Sequence, residues 1–457
     1  MLQDRYQGRH STTSEEAVRA FEEAVFAVAA HRPAMTALKA ALQADPHLVA
    51  ALALKGLGVA LLGKAEDFAA SRTALAPAKA ALARANDGTA YERTLVDALA
   101  LASRGALKAA ASRLEFQVAE NPKDFLCLKL ANALRFMTGE AHRMRKTTAT
   151  ALRDMGASDA GYGFALGMHA FGLEETGSFA EAESVGRLAV ASERADIWGV
   201  HAVGHVLEMR GRPEEGARWV ENSRQLWPLC NNFNFHMAWH LALFHLEAAN
   251  YDAVLDLYDR EIRPTQTDDF RDMSNAVSML WRLRQEGVDV GDRWLGLRAV
   301  AHRRRTDTTY VFASLHYLLA LLGAGDTAAA QELVAGLYRR AHAPDPDDQA
   351  LIAADVGIHI ADAILALHAG GASPGNLCEL SLKLPAIGGS NAQRDVFMRT
   401  LLLMAAGSGE PAAFEAVNKV RETMKTKDRF ARLSENRLRR RFQPSPDARK
   451  CKLTGHA

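Results

Sequence analysis

The chain is short of several things. Its 457 residues include only four cysteines, Cys127, Cys230, Cys378 and Cys451, far apart and without a C-x-x-C pair. A chain of this length needs no disulfide framework, so reduced thiols in a cytoplasmic setting are expected. Proline is sparse, at 14, and β-branched runs are few. No stretch alternates convincingly with period two, so essentially no sheet is predicted. No run approaches the ~18–20 apolar residues of a membrane span, and the opening "MLQDRYQGRH" has no apolar signal core. A formal net charge of +1 gives no strong field to recruit nucleic acid or an anionic membrane. No P-loop, dinucleotide fingerprint, Ser-His-Asp elbow or Cys-His dyad is evident.

What charge there is sits unevenly. From Lys419 onward there are 13 Lys and Arg against 4 Asp and Glu, which leaves the remaining chain at −8. "RLRRRF" and "ARKCKL" lie in this basic end. It reads as a solvated terminal helix and tail, with an arm for an acidic partner as the alternative.

Alanine and leucine dominate the rest, a composition that favours helix. Leu173, Glu174 and Gly177 recur as Leu207, Glu208 and Gly211 after 34 residues. That is the period of the tetratricopeptide repeat, a pair of antiparallel helices. Related turn signals stand at Gly63, Gly105, Gly139, Ala249-Asn250 and Gly325-Asp326. The predicted fold is all-α, a right-handed solenoid of such helix pairs. The expected division is an N-terminal arm over 1–11, a continuous array over 12–425 and a basic helix or tail over 426–457. Thr13-Ser14-Glu15-Glu16 reads as the cap that starts the array.

Within the array, "GVHAVGHVLEM" places His201, His205 and Glu208 at i, i+4 and i+7, within about 60° on one helix face. In the next unit, "FNFHMAWHLALFHLE" places His236, His240 and Glu247 within about 40° of one another. By repeat position, both sets face the concave side. Phe244 is the candidate to wall that groove, and His316 falls near the inner face of its own unit. In "LPAIGGSNAQRDVF" a glycine break precedes a capped helix whose first turns carry Gln393, Arg394 and Asp395. These could be ordinary cap residues or an anion clamp at a helix N-terminus.

Imidazole and carboxylate are ligands of zinc, iron and manganese, and two histidines at i, i+4 can grip one ion from a single helix. His201, His205, Glu208, His236 and His240 are therefore candidate ligands. Without a metal, His201, His205, Glu208 and His240 could serve as acid–base groups. The same groove could instead bind a peptide or a small polar ligand through His236, Glu247, Phe244, His316, Gln393, Arg394 and Asp395. The residues leave these readings open.

The strings "STTSEEA", "WGVHAVGHVLEM", "HMAWHLALFHLE", "SMLWRLRQEGVDVGDRW", "AADVG" and "GGSNAQRDVF" resemble the tetratricopeptide repeat protein 38 family over nearly the whole chain. The resemblance implies an α-helical repeat protein and directs weight to the His, Glu, Gln, Arg and Asp residues named above. It implies no particular reaction. The basic end departs from the part that matches.

Overall fold

The computed structural model describes residues 1–371, 375–426 and 428–442. "ARKCKL" and Cys451 lie outside the described residues. The fold is all-α, with 24 α-helices among the described residues. Strand pairing is confined there to an antiparallel ribbon, Leu2–Gln3 against Arg9–His10. This ribbon at the start of the chain is packed down: Tyr6 and His10 are buried, and His10 Nε2 lies 2.8 Å from Asp4 Oδ2. The first long helix, Glu15–Ala29, starts where Ser14 Oγ accepts the Ala17 N–H. The last, Arg429–Phe442, carries the "RLRRRF" segment.

The turn signals of the sequence have one physical cause. Gly63, Gly105, Gly139, Gly177, Gly211, Ala249 and Gly325 each lie two or three residues past the end of a helix and take a positive φ. This left-handed position reverses the chain and satisfies the last helical carbonyls. Glycine enters it freely. Ala249, at φ 56°, does so against a penalty of about 1–2 kcal/mol.

Tyr162–Glu175, Ile197–Met209, Phe233–Glu247, Phe270–Gln285 and Val311–Gly323 form a series in which each helix packs on the next. Each also packs on the helix that follows its own turn. The ends of this arrangement meet. Ala65 N donates to Asp307 Oδ2 at 3.2 Å, Lys108 N to Asp348 Oδ2 at 2.7 Å, and Asn231 N to the His31 carbonyl at 2.8 Å. At Gly139 a side chain is impossible, because its Cβ would stand 2.0 Å from the Pro385 carbonyl oxygen. Helix Asn391–Ser408 then packs on both Ile197–Met209 and Phe270–Gln285. Early and late helices therefore enclose the face that carries the histidines.

One helical run, Asp348–His368, is long and apolar enough by composition to cross a membrane. Its mean hydropathy is 1.9, and 56% of the apolar window is buried inside the protein.

Candidate metal centre

Two neighbouring helices build the centre. His201 and His205 project from Ile197–Met209, and His236 and His240 from Phe233–Glu247. His201, His205 and His240 are buried, and His236 is half-buried at the edge. The four rings turn their Nε2 atoms inward. His205 Nε2 is 2.9 Å from His201 Nε2, His201 Nε2 is 3.0 Å from His236 Nε2, and His240 Nε2 is 3.2 Å from His236 Nε2. All four donor atoms lie within 4.8 Å of one another.

The opposite ring nitrogens face outward. His236 Nδ1 is 2.9 Å from Asn275 Oδ1, which places the proton on Nδ1 and leaves the Nε2 lone pair free. His205 Nδ1 faces Glu174 Oε2 at 3.5 Å, and His240 Nδ1 faces Glu208 Oε2 at 3.7 Å. The two pairs are equivalent. Glu174 and Glu208 hold the same repeat position, and each meets a histidine on the following first helix. Aromatic rings fill the remaining wall. Phe171 stacks on His201 with centroids 5.6 Å apart, Trp239 stacks on His236 at 5.2 Å, and Trp198 lies 4.6 Å from His201.

Burial keeps these imidazoles neutral. His201, His236 and His240 are held well below the usual histidine range by burial first and then by repulsion from neighbouring imidazoles. His205 is lowered by burial, against the opposing charges of Glu175 and Glu208. Burial raises Glu174 to about 8 and Glu175 to about 7. Several buried polar atoms here have no hydrogen-bond partner: His201 Nδ1, His205 Nδ1, His240 Nδ1, both carboxylate oxygens of Glu174 and Oε2 of Glu208. Such groups are costly to leave unsatisfied, typically about 1–3 kcal/mol each.

Other predicted residues lie elsewhere. Glu208 stands behind His240, and its Oε1 faces Lys425 Nζ at 3.4 Å. Glu247 shares a helix face with the histidines but accepts the Arg429 N–H at 2.9 Å and meets Lys425. Phe244 is in the core, where a Cβ on Gly216 would come within 2.2 Å of its ring. His316 Nδ1 donates to the Phe312 carbonyl at 2.8 Å, apart from the four-histidine group. Gln393 completes a capping box with Ser390. Arg394 clamps Glu175 at 2.9 Å and Asn391 at 2.7 Å. Asp395 is bonded to Arg421.

Sequence reasoning missed Glu174, Glu175 and Asn275. For Glu174 the signal was present, since it aligns with Glu208 across the 34-residue repeat. No protein-family model matches the chain.

Proposed function

We propose that the four histidines hold one divalent transition-metal ion and that the protein is a metal-dependent enzyme acting on a small polar substrate. The observation that carries this reading is the convergence of four neutral Nε2 atoms while the Nδ1 atoms turn outward. Two nitrogens each about 2.1 Å from one ion stand about 3.0 Å apart at a right angle and about 3.4 Å apart at the tetrahedral angle. The spacings of 2.9, 3.0 and 3.2 Å fall in or near that range. A proton between two nitrogens serves one contact, whereas a shared cation serves all four lone pairs. Glu174, Glu208 and Asn275 stand where outer carboxylates and amides orient metal-bound histidines. An all-imidazole set favours zinc or ferrous iron over manganese, which prefers oxygen donors. Four neutral donors also leave the ion its full charge, suited to polarising a bound water or carbonyl.

The half-buried edge at His236, with Asn232, Phe233 and Trp198 also half-buried, supports a catalytic rather than a purely structural ion. A peptide-binding groove draws less support, because Lys425, Arg429 and helix Asn391–Ser408 occupy the face beside Glu208 and Glu247. The 34-residue recurrence and the left-handed residue after each first helix support tetratricopeptide-type units. The resemblance to the tetratricopeptide repeat protein 38 family stands on the same segments.

The test is elemental analysis of untagged protein. One equivalent of zinc or iron is expected, lost in the His201→Ala/His240→Ala double variant while the far-ultraviolet circular dichroism is retained. Protein that stays metal-free after incubation with zinc and with ferrous iron would sink the reading.

A further inference from the structure

A second group of chemically active side chains lies beside the histidine centre, where Trp198 is in contact with both His31 and His201. His31 takes a left-handed backbone, φ 53°, which is uncommon for a residue with a side chain. It lies two residues past helix Glu15–Ala29, the same chain-reversing position that Ala249 takes after Phe233–Glu247. Here the Asn231 N–H holds the His31 carbonyl at 2.8 Å. The ring is stacked on Trp198, with centroids 5.0 Å apart and planes 6° apart, and lies 4.4 Å from Phe233. His31 Nε2 is 3.2 Å from Lys129 Nζ. That amine stands 5.4 Å from the centre of the Trp198 ring.

Lys129 has no carboxylate partner within ion-pair distance among the described residues. Asp196 is its nearest electrostatic counterweight, yet both Asp196 oxygens are buried without a hydrogen-bond partner. That carboxylate is wedged between glycines: a Cβ on Gly167 would stand 2.1 Å from Asp196 Oδ2, and one on Gly199 would stand 2.5 Å away. It therefore cannot move freely to meet the amine. Trp198 Nε1 is likewise buried and unpartnered. Lys129, His31, Trp198 and Phe233 are each only half-buried as residues, so the group is not wholly enclosed.

A lysine hydrogen-bonded to a neutral imidazole and set among aromatic faces has the surroundings of a nucleophilic amine. We propose that Lys129 forms an imine with a small, flat aldehyde or ketone lodged against Trp198 and Phe233. The amine nitrogen adds to the carbonyl carbon, and a C–N bond forms as the C=O π bond opens. The carbinolamine then loses its oxygen as water, which carries away both amine protons and leaves C=N. His31 Nε2 is placed to take the first proton and return it to the departing hydroxyl. No oxidant or reductant is required, and the step does not depend on a metal at the neighbouring histidines.

Burial lowers Lys129 to about 8, with Asp196 opposing the shift. His31 is held well below the usual histidine range by burial first and then by Lys129, Arg271 and His236. At pH 8 about half of Lys129 is then neutral, against under about 1% of an ordinary lysine.

The experiment treats full-length protein with benzaldehyde, traps imines with cyanoborohydride and maps the modified lysines by mass spectrometry. Lys129 is expected to label at least about tenfold faster than any other lysine at pH 8. Its labelling should slow several-fold at pH 7, and Lys129→Arg should lose this label alone. Chelator-treated protein should give the same map, which separates this outcome from that of the metal test. Label spread evenly over the lysines, or absent from Lys129 in folded protein, would overturn the proposal.

Discussion

Two buried polar regions lie end to end on the same pair of helices, and they are built on opposite principles. Around His201, His205, His236 and His240 the groups are neutral, aromatic rings crowd them, and several donors and acceptors have no partner. Within about one turn of His205 and two turns of His240, Glu208 and Glu247 meet Lys425, which lies 3.4 and 3.8 Å from them. Arg429 and Arg399 bond to Glu286, and Arg421 bonds to Asp395 and Asp428. In this ionic layer most charges answer one another within the chain. Burial pushes Asp395 up, but Arg421, Lys425, Arg282 and Arg399 outweigh it and hold the carboxyl well below the usual range. Glu208 and Glu247 outweigh the burial of Lys425 and raise its ammonium. The lesson is one of completeness: the charges of the ionic layer are largely paired, whereas the histidine centre leaves several buried donors and acceptors without a partner.

The largest expected break falls in the ionic layer. Arg421→Met strands the carboxylates of Asp395 and Asp428 and should lower the unfolding free energy by about 3–5 kcal/mol in urea titrations. Metal stoichiometry should stay unchanged; loss of metal together with stability would mean that the two regions are not separate. Next comes the carboxylate layer behind the histidines. Glu174→Gln and Glu208→Gln should each weaken metal affinity by about 10–100-fold, measured by competition with a chelator. Equal losses are expected because the two pairs are equivalent, at 3.5 and 3.7 Å. A loss at Glu208 alone would show that Lys425 sets that site apart. The smallest change touches neither region. Ala249→Gly relieves the left-handed alanine after Phe233–Glu247 and should raise stability by up to about 1 kcal/mol, with metal affinity unaltered.

Much of the site was legible because helical periodicity fixes angle well. His201 with His205, and His236 with His240, stand on shared faces as the 100° step requires. Angle does not fix height. Glu247 shares a face with His240 but stands seven residues along, about 10 Å up the axis, and so belongs to the ionic layer. Phe244 was assigned to the groove from its spacing, whereas the close approach of Gly216 draws it into the core. The turn glycines were legible because a reversed chain demands their backbone. The cover supplied by Arg394, Lys425 and Arg429 was not, since residues about 180–220 positions from their partners leave no trace in any local period.

The seam between early and late helices has a further consequence. An array held only by neighbouring pairs can fray from either tip, one unit at a time, as a zip opens. Here Lys108 is bonded to Asp348, and Ala65 to Asp307, about 240 positions apart. The early and late helices are joined here, so loosening either of these ends must also part the join. Fraying from a tip is then opposed by a contact from the opposite end of the chain as well as by the neighbouring helix.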